Sequence, residues 1–365
     1  MALLTRRAFA VLAACACLPP AAAAQNPGGS GRYVCPPCGC SNDGKVFDKP
    51  GVCPDPACGM ALIAAPAEAV PVEPSGLTGG AGVFLAAGGP GREAKRIQVH
   101  YYRPASFTPH SPVLIVLPGA GRNSAEYRDA WIKTAEAKGV LVAALGYPEA
   151  DYDFAAYQMG GVIRNLRFPA PPGSPSVIRL RDEDITFEPN PNPEQWTFAD
   201  FDRVFDVLSR AAGSTRASYD LFGHSAGGQI LHRLILFRPQ SKAERIVAAN
   251  AGLYTVPDLG EPQPWGLRGA GVDEATLKAA LSARLTLLLG EKDDGDEAGG
   301  IQLRTPIVDR QGVGRLARGR HFFAACQRQA KALGTPFGWR LQVVPGVGHD
   351  YRRMSEAAGK KLLYG

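Results

Sequence analysis

Apolar residues recur along this chain in two alternating rhythms. Short, mostly apolar runs, from Ile97 to Tyr102, Val113 to Leu117, Val140 to Leu145, Tyr219 to Phe222, Ile246 to Asn250, Leu285 to Leu289 and Leu341 to Val344, have the length and composition of buried strands. Between them, the stretches Ala125 to Ala137, Phe198 to Ala212, Asp273 to Leu281 and Leu316 to Leu333 place apolar residues at helical spacing. Strands that carry apolar residues on both faces must be covered on both. The alternation therefore predicts an α/β fold with a mostly parallel sheet flanked by helices, and chemistry gathered at the carboxyl ends of the strands.

The rhythm fails in three places. From Glu149 to Thr197 the chain is rich in proline and carries Tyr152, Phe154, Tyr157, Phe168, Phe187 and Trp196. Such an insertion reads as a lid or substrate wall over the carboxyl edge, with a surface excursion as the alternative. Residues 64–80, rich in Ala, Pro, Glu and Gly, read as a linker, which starts the main domain at Ala81 and runs it to residue 365. Residues 1–24 carry Arg6 and Arg7, an apolar stretch from Ala8 to Leu18 and the small residues Ala22 to Ala24, the pattern of an export signal. A twin-arginine signal and a general secretory signal both fit, and Leu12-Ala13-Ala14-Cys15 also resembles a lipoprotein box that would anchor the chain by a lipid on Cys15. The expected location is periplasmic or secreted, with no transmembrane span.

At 365 residues and 45% hydrophobic content the chain can bury a large core, and a net charge of +6, modest and dispersed, gives no nucleic-acid signature. The chemistry concentrates at Gly223-His224-Ser225-Ala226-Gly227, which follows an apolar run and opens a helical pattern with Ile230, Leu231, Leu234 and Ile235 on one face. This is the Gly-x-Ser-x-Gly nucleophile elbow in its strand-turn-helix setting. Ser225 at a helix N-terminus is the expected nucleophile.

A serine needs an imidazole to take its proton and a carboxylate to orient that imidazole. Of six histidines, His349 alone follows a late strand through a loop of small residues, Pro345 to Gly348. It is the expected base, while His100, His110, His224, His232 and His321 are expected to be structural or solvent-facing. The acid is expected between serine and histidine, after Leu285 to Leu289, where Gly290-Glu291-Lys292-Asp293-Asp294 stands. Asp293 is preferred and Asp294 is the alternative, with Asp296 and Glu297 as a solvated loop. The oxyanion donors are expected at the backbone of Ala226 and of Ala120, in the turn Pro118-Gly119-Ala120-Gly121. Tyr254, Trp196 and Trp265 are candidates for the pocket wall.

Five of eight cysteines fall between residues 35 and 58, in a module spanning 25–63. Cys35, Cys38, Cys53 and Cys58 could supply four thiolates to zinc or another heavy metal. In an oxidising compartment, two disulfides are the competing arrangement, and the role of Cys40 stays open.

Tyr33-Val34-Cys35-Pro36, Asp48 to Pro54 and Cys58-Gly59-Met60 resemble the small heavy-metal-binding domain of copper and heavy-metal transport proteins, although that family usually has histidine where Cys38 stands and a shorter gap where Asp55-Pro56-Ala57 intervenes. From about residue 95 onward the chain resembles an α/β-hydrolase of the poly(3-hydroxybutyrate) depolymerase-like and feruloyl-esterase-like group, on Leu117 to Gly121, Gly223 to Gly227, Gly290 to Asp293 and Gly346 to Asp350. Many relatives have His-Gly where Pro118-Gly119 stands. The resemblance implies an exported serine hydrolase that cleaves small or polymeric carboxylic esters through an acyl-enzyme, with no cofactor for catalysis. A peptidase or acyltransferase would use the same residues. A rival reading makes the cysteine module the functional part, in a metal-handling protein with a hydrolase scaffold.

Overall fold

A computed structural model describes residues 33–35, 42, 45–56, 58–64, 72–169, 177–294 and 302–364. The chain divides after Ala69 into two units. Among the described residues no helix is long and apolar enough to cross a membrane. Arg6, Arg7, Cys15, Cys38, Cys40, Asp296 and Glu297 lie outside the described residues.

The first unit contains three two-residue strands, Tyr33–Val34, Val46–Phe47 and Ile63–Ala64, with the first between the other two and antiparallel to both. Cys35 and Cys53 are buried within it. So small a unit has little apolar surface to bury, and its sulfurs take the place a core would hold.

The second unit is built on an eight-stranded sheet. Its strands are β1 (Gly80–Ala87), β2 (Arg96–Arg103), β3 (Val113–Leu117), β4 (Leu141–Gly146), β5 (Tyr219–His224), β6 (Ala243–Ala249), β7 (Leu285–Gly290) and β8 (Arg340–Val344). Their spatial order is β8-β7-β6-β5-β3-β4-β2-β1. From β8 to β4 the pairings are parallel, while β2 runs antiparallel to both β4 and β1. The period of two along β3 sorts its side chains into two cores. Val113, Ile115 and Leu117 join one cluster, and Leu114 and Val116 join the other.

Helices α1 (Ser124–Asp129), α2 (Ile132–Lys138) and α7 (Tyr351–Ala358) supply residues to the second cluster. Helices α3 (Phe198–Ala212), α4 (Ala226–Phe237), α5 (Glu274–Ser282) and α6 (Arg315–Ala332) supply the first. The periodic stretch from Ala125 to Ala137 is two helices, not one. The break falls at Ala130 and Trp131, and Trp131 is fully buried with its ring edge-on to Phe222 at 5.1 Å.

Two elements have weak sequence signals. β1 reads Gly-Ala-Gly-Val-Phe-Leu-Ala-Ala, too rich in small residues to stand out, and α7 is short and polar, capped by Asp350 accepting from the Arg352 N–H at 2.9 Å. Part of the segment read as a linker packs on this unit. Glu73 donates its N–H to Leu85 O at 2.9 Å, and Leu77 is buried with its N–H on Ala211 O at 3.0 Å.

Candidate active site

Ser225 sits between β5 and α4 with φ 58° and ψ −114°, a left-handed backbone that non-glycine residues rarely adopt. The flanking glycines are required by contact. A Cβ on Gly223 would strike the Gly227 carbonyl, and one on Gly227 would strike the carbonyl of Leu117 at the end of β3. The elbow is thus pressed against the turn Pro118-Gly119-Ala120-Gly121, where a Cβ on Gly119 would lie 3.5 Å from Ser225 Cβ. That turn is braced from outside: Tyr157 donates its hydroxyl to Pro118 O at 2.7 Å, and the Arg122 guanidinium lies 3.9 Å over the Tyr157 ring while donating to the carbonyls of Tyr147 and Tyr152.

Asp293 stands three residues past β7 and is 1% exposed; its Oδ2 is 2.8 Å from His349 Nδ1. Its other oxygen, Oδ1, accepts from Arg315 at 3.1 Å, and that guanidinium is itself buried. Asp294 is exposed. The His349 ring lies 4.6 Å from that of His224, the residue before Ser225.

His224 is buried, with Nδ1 3.1 Å from the Tyr127 hydroxyl and Nε2 3.4 Å from Asn250 Nδ2. Burial, reinforced by the neighbouring His349 and Arg315, holds it well below the ordinary histidine range, so it is neutral. His232 is also buried, accepts the Thr255 N–H at 3.1 Å, and is likewise held low by burial and by Arg233. His100 bonds Ser124 and His110 bonds Thr215. His321 lies half-buried on α6.

Ser225, Ala226 and Ala120 line a common cavity of about 420 Å³. The insertion supplies much of its wall: Phe154, Met159, Ile163, Leu166, Phe168, Ile178 and Ile185 all face it. Leu253, Pro264, Trp265 and Leu303 close the other side, and Gln158, Gln229 and Arg315 are among its polar groups. Of the three wall candidates only Trp265 reaches the cavity. Trp196 is buried with its indole N–H on Asn190 O, and Tyr254 is buried against Phe322 with ring centroids 4.6 Å apart. Both are large apolar bodies that core packing consumes. Arg315, Gln158, Gln229 and Asn250 carry no motif, and periodicity did not single them out.

In the first unit the Sγ atoms of Cys35, Cys53 and Cys58 lie within 4.8 Å of one another. Cys35 and Cys58 are 3.7 Å apart, too far for a disulfide's roughly 2.05 Å bond. A tetrahedron of thiolates at about 2.3 Å from zinc has sulfurs roughly 3.8 Å apart, so this spacing fits a shared ion. Burial opposes ionisation of Cys53, but hydrogen bonds from the Asp55 backbone, the Asn42 side chain and the two neighbouring thiols outweigh it and bring the thiol down to about 7.

The strand order, the strained serine at the β5–α4 turn and the acid and histidine loops after β7 and β8 define an α/β-hydrolase. Comparison with solved structures agrees. Poly(aspartic acid) hydrolase-1 from Sphingomonas sp. KT-1 matches with 38% identity over 78% of this chain and 99% of its own, at a TM-score of 0.67. A poly(3-hydroxybutyrate) depolymerase, LpqC, from Bordetella parapertussis matches with 33% identity over 77% of this chain and 88% of its own, at a TM-score of 0.66. No protein-family model matches the chain, and neither does any curated protein sequence. The chain belongs to the α/β-hydrolase superfamily, in the depolymerase-like group that these two structures represent. It is a hydrolase.

Proposed function

We propose that the protein is an exported serine hydrolase that cleaves carboxylic esters through an acyl-enzyme. Ser225 attacks the carbonyl, His349 takes and returns the proton, and Asp293 orients the imidazole. The backbone N–H groups of Ala120 and Ala226 hold the oxyanion, a role in which each donor contributes on the order of 3 kcal/mol. The observation that carries this reading is the 2.8 Å contact between His349 Nδ1 and a buried Asp293 beside a strained serine elbow. The apolar cavity suits an acyl or alcohol portion with branched or aromatic bulk.

Amide hydrolysis is a second reading, favoured by the match to a hydrolase of poly(aspartic acid), a polymer joined by amide bonds. It uses the same residues. The cysteine module is an accessory site in which Cys35, Cys53 and Cys58, with Cys38, hold zinc or another thiophilic ion.

Fluorophosphonate treatment tests the core of the proposal: it is expected to add mass at Ser225, and Ser225→Ala to abolish both labelling and turnover of a 4-nitrophenyl ester. Full turnover in that variant would refute it. A panel of aryl esters, oligomeric hydroxyacid esters and poly(aspartic acid) then separates ester from amide preference.

A further inference from the structure

Beyond the triad, one uncharged side chain joins the loops on which all three of its members stand. Asn250 follows β6 directly, in the left-handed region at φ 46°. Its Oδ1 accepts the Gly290 N–H at 2.7 Å, in the turn that leads to Asp293. Its Nδ2 donates to Gly348 O at 3.0 Å, one residue before His349. The same nitrogen lies 3.4 Å from His224 Nε2, one residue before Ser225.

These partners fix the carboxamide's orientation, because only oxygen can face the Gly290 N–H and only nitrogen the Gly348 carbonyl. They also fix the His224 tautomer. With Nε2 accepting from Asn250, Nδ1 carries the proton and donates to Tyr127 Oη, 3.1 Å away. Tyr127 Oη also lies against the turn that carries Gly119, 3.0 Å from where a Cβ on Gly119 would stand. A single neutral network of hydrogen bonds therefore runs from Tyr127 through the elbow to the acid loop and the base loop, with Asn250 at its branch point.

From this geometry we infer that Asn250 is a positioning residue for the reaction, setting the spacing of the Ser225, Asp293 and His349 loops; the inference rests on the triad reading above. The position admits few residues. Positive φ favours glycine, asparagine and aspartate. Glycine offers no side-chain bonds, and ionised aspartate cannot donate to Gly348 O. The backbone adds two ties that do not need the side chain, Ser225 N–H to Ala249 O at 2.9 Å and Asn250 N–H to Leu288 O at 3.0 Å. Loss of the carboxamide is thus expected to leave the sheet intact while loosening the loops, and a displacement of about 1 Å at reacting groups costs on the order of 10²-fold in rate.

The test uses the full chain and a 4-nitrophenyl ester. Asn250→Gly, which keeps the backbone conformation, is expected to lower kcat by about 10²-fold with KM within about threefold, and to slow fluorophosphonate labelling of Ser225 to the same degree. Asn250→Asp supplies a readout that a merely structural role would not move. When protonated its carboxyl can still donate to Gly348 O; when ionised it cannot. The ratio of variant to wild-type kcat is expected to rise as pH falls, with the neighbouring ionisable groups His224, His349 and Arg315 common to both proteins, while the deficit of Asn250→Gly stays flat with pH. If Asn250→Gly is not recovered folded, Asn250→Asp decides. Wild-type kcat and a flat ratio in folded Asn250→Asp, or losses confined to KM, would overturn the inference while leaving an inactive Ser225→Ala as support for the triad. An active Ser225→Ala would overturn both.

Discussion

The guanidinium of Arg315, 3% exposed, lies 3.1 Å from the one Asp293 oxygen that His349 does not face. A carboxylate shared in this way, between a guanidinium and an imidazole, is fixed in rotation. Arg315→Met is expected to lower kcat on a 4-nitrophenyl ester by ten- to a hundredfold, on the order of 1.4 to 2.7 kcal/mol. It is also expected to destabilise the fold by about 3 to 5 kcal/mol, because breaking a buried pair strands its partner. Steady-state kinetics together with urea unfolding check both numbers. An unchanged urea midpoint would show that Asp293 does not depend on this partner.

Selectivity is expected to turn on Gln229. Its Nε2 donates to Gln158 Oε1 at 3.1 Å, and its own Oε1 is buried without a partner among the described residues. A turn of the side chain that offers this oxygen to a substrate N–H or O–H recovers a hydrogen bond that an apolar substrate forfeits. Gln229→Leu is expected to shift the ratio of kcat/KM between a hydroxyl-bearing acyl ester and its deoxy analogue by about tenfold toward the analogue. Competition between the two esters in one reaction measures it directly.

Acid is expected to destabilise the fold through two neutral histidines. His224 and His232 are held well below the ordinary range by burial, so their folded pKa values lie under those of the unfolded chain. Their contribution is intact above about pH 6.5 and is lost as pH falls below it, with a limiting slope of about 1.4 kcal/mol per pH unit for each histidine. Urea unfolding from pH 7.5 to 5 is expected to show the decline, and His232→Gln to reduce its slope. A slope unchanged by that substitution would remove His232 from the account.

The cysteine module is expected to bind one zinc ion per chain. With Cys53 at about 7, part of its population is already thiolate at neutral pH, and binding releases the remaining thiol protons. Zinc titration against a chromophoric chelator, with proton release followed in weak buffer, measures both stoichiometry and ionisation. Cys53→Ser is expected to abolish tight binding. Stripping the metal from the full chain is expected to leave kcat on the aryl ester within about twofold, and loss of turnover would make the module more than an accessory.

Much of the second unit was legible because its determinants are local. Val113 to Leu117 is a strand that announces itself by being apolar throughout, and the glycines around Ser225 mark a turn whose tightness is visible within five residues. Asn250 and Arg315 were not legible. Asn250 acquires its partners only when β6 lies between β5 and β7 and the loop carrying His349 folds back from β8, and Arg315 meets Asp293 only when α6 docks. The Glu149 to Thr197 insertion was visible as a break in rhythm, but the facing of Ile163, Leu166 and Ile178 toward the cavity depends on short strands in a segment where prolines and polar residues hide any period.

Ala120, Ser225, Asn250, Asp293 and His349 follow the ends of β3, β5, β6, β7 and β8, which lie side by side in the sheet. No stretch of chain shorter than that from β3 to the loop after β8 contains them all. On the proposed reading, a nascent or partly unfolded molecule is therefore expected to carry Ser225 as an ordinary alcohol, inert toward bystander esters and toward phosphonates alike. Covalent labelling of that serine is then expected to be a census of native molecules, the labelled fraction of a preparation, compared with total protein, counting how many chains completed the fold.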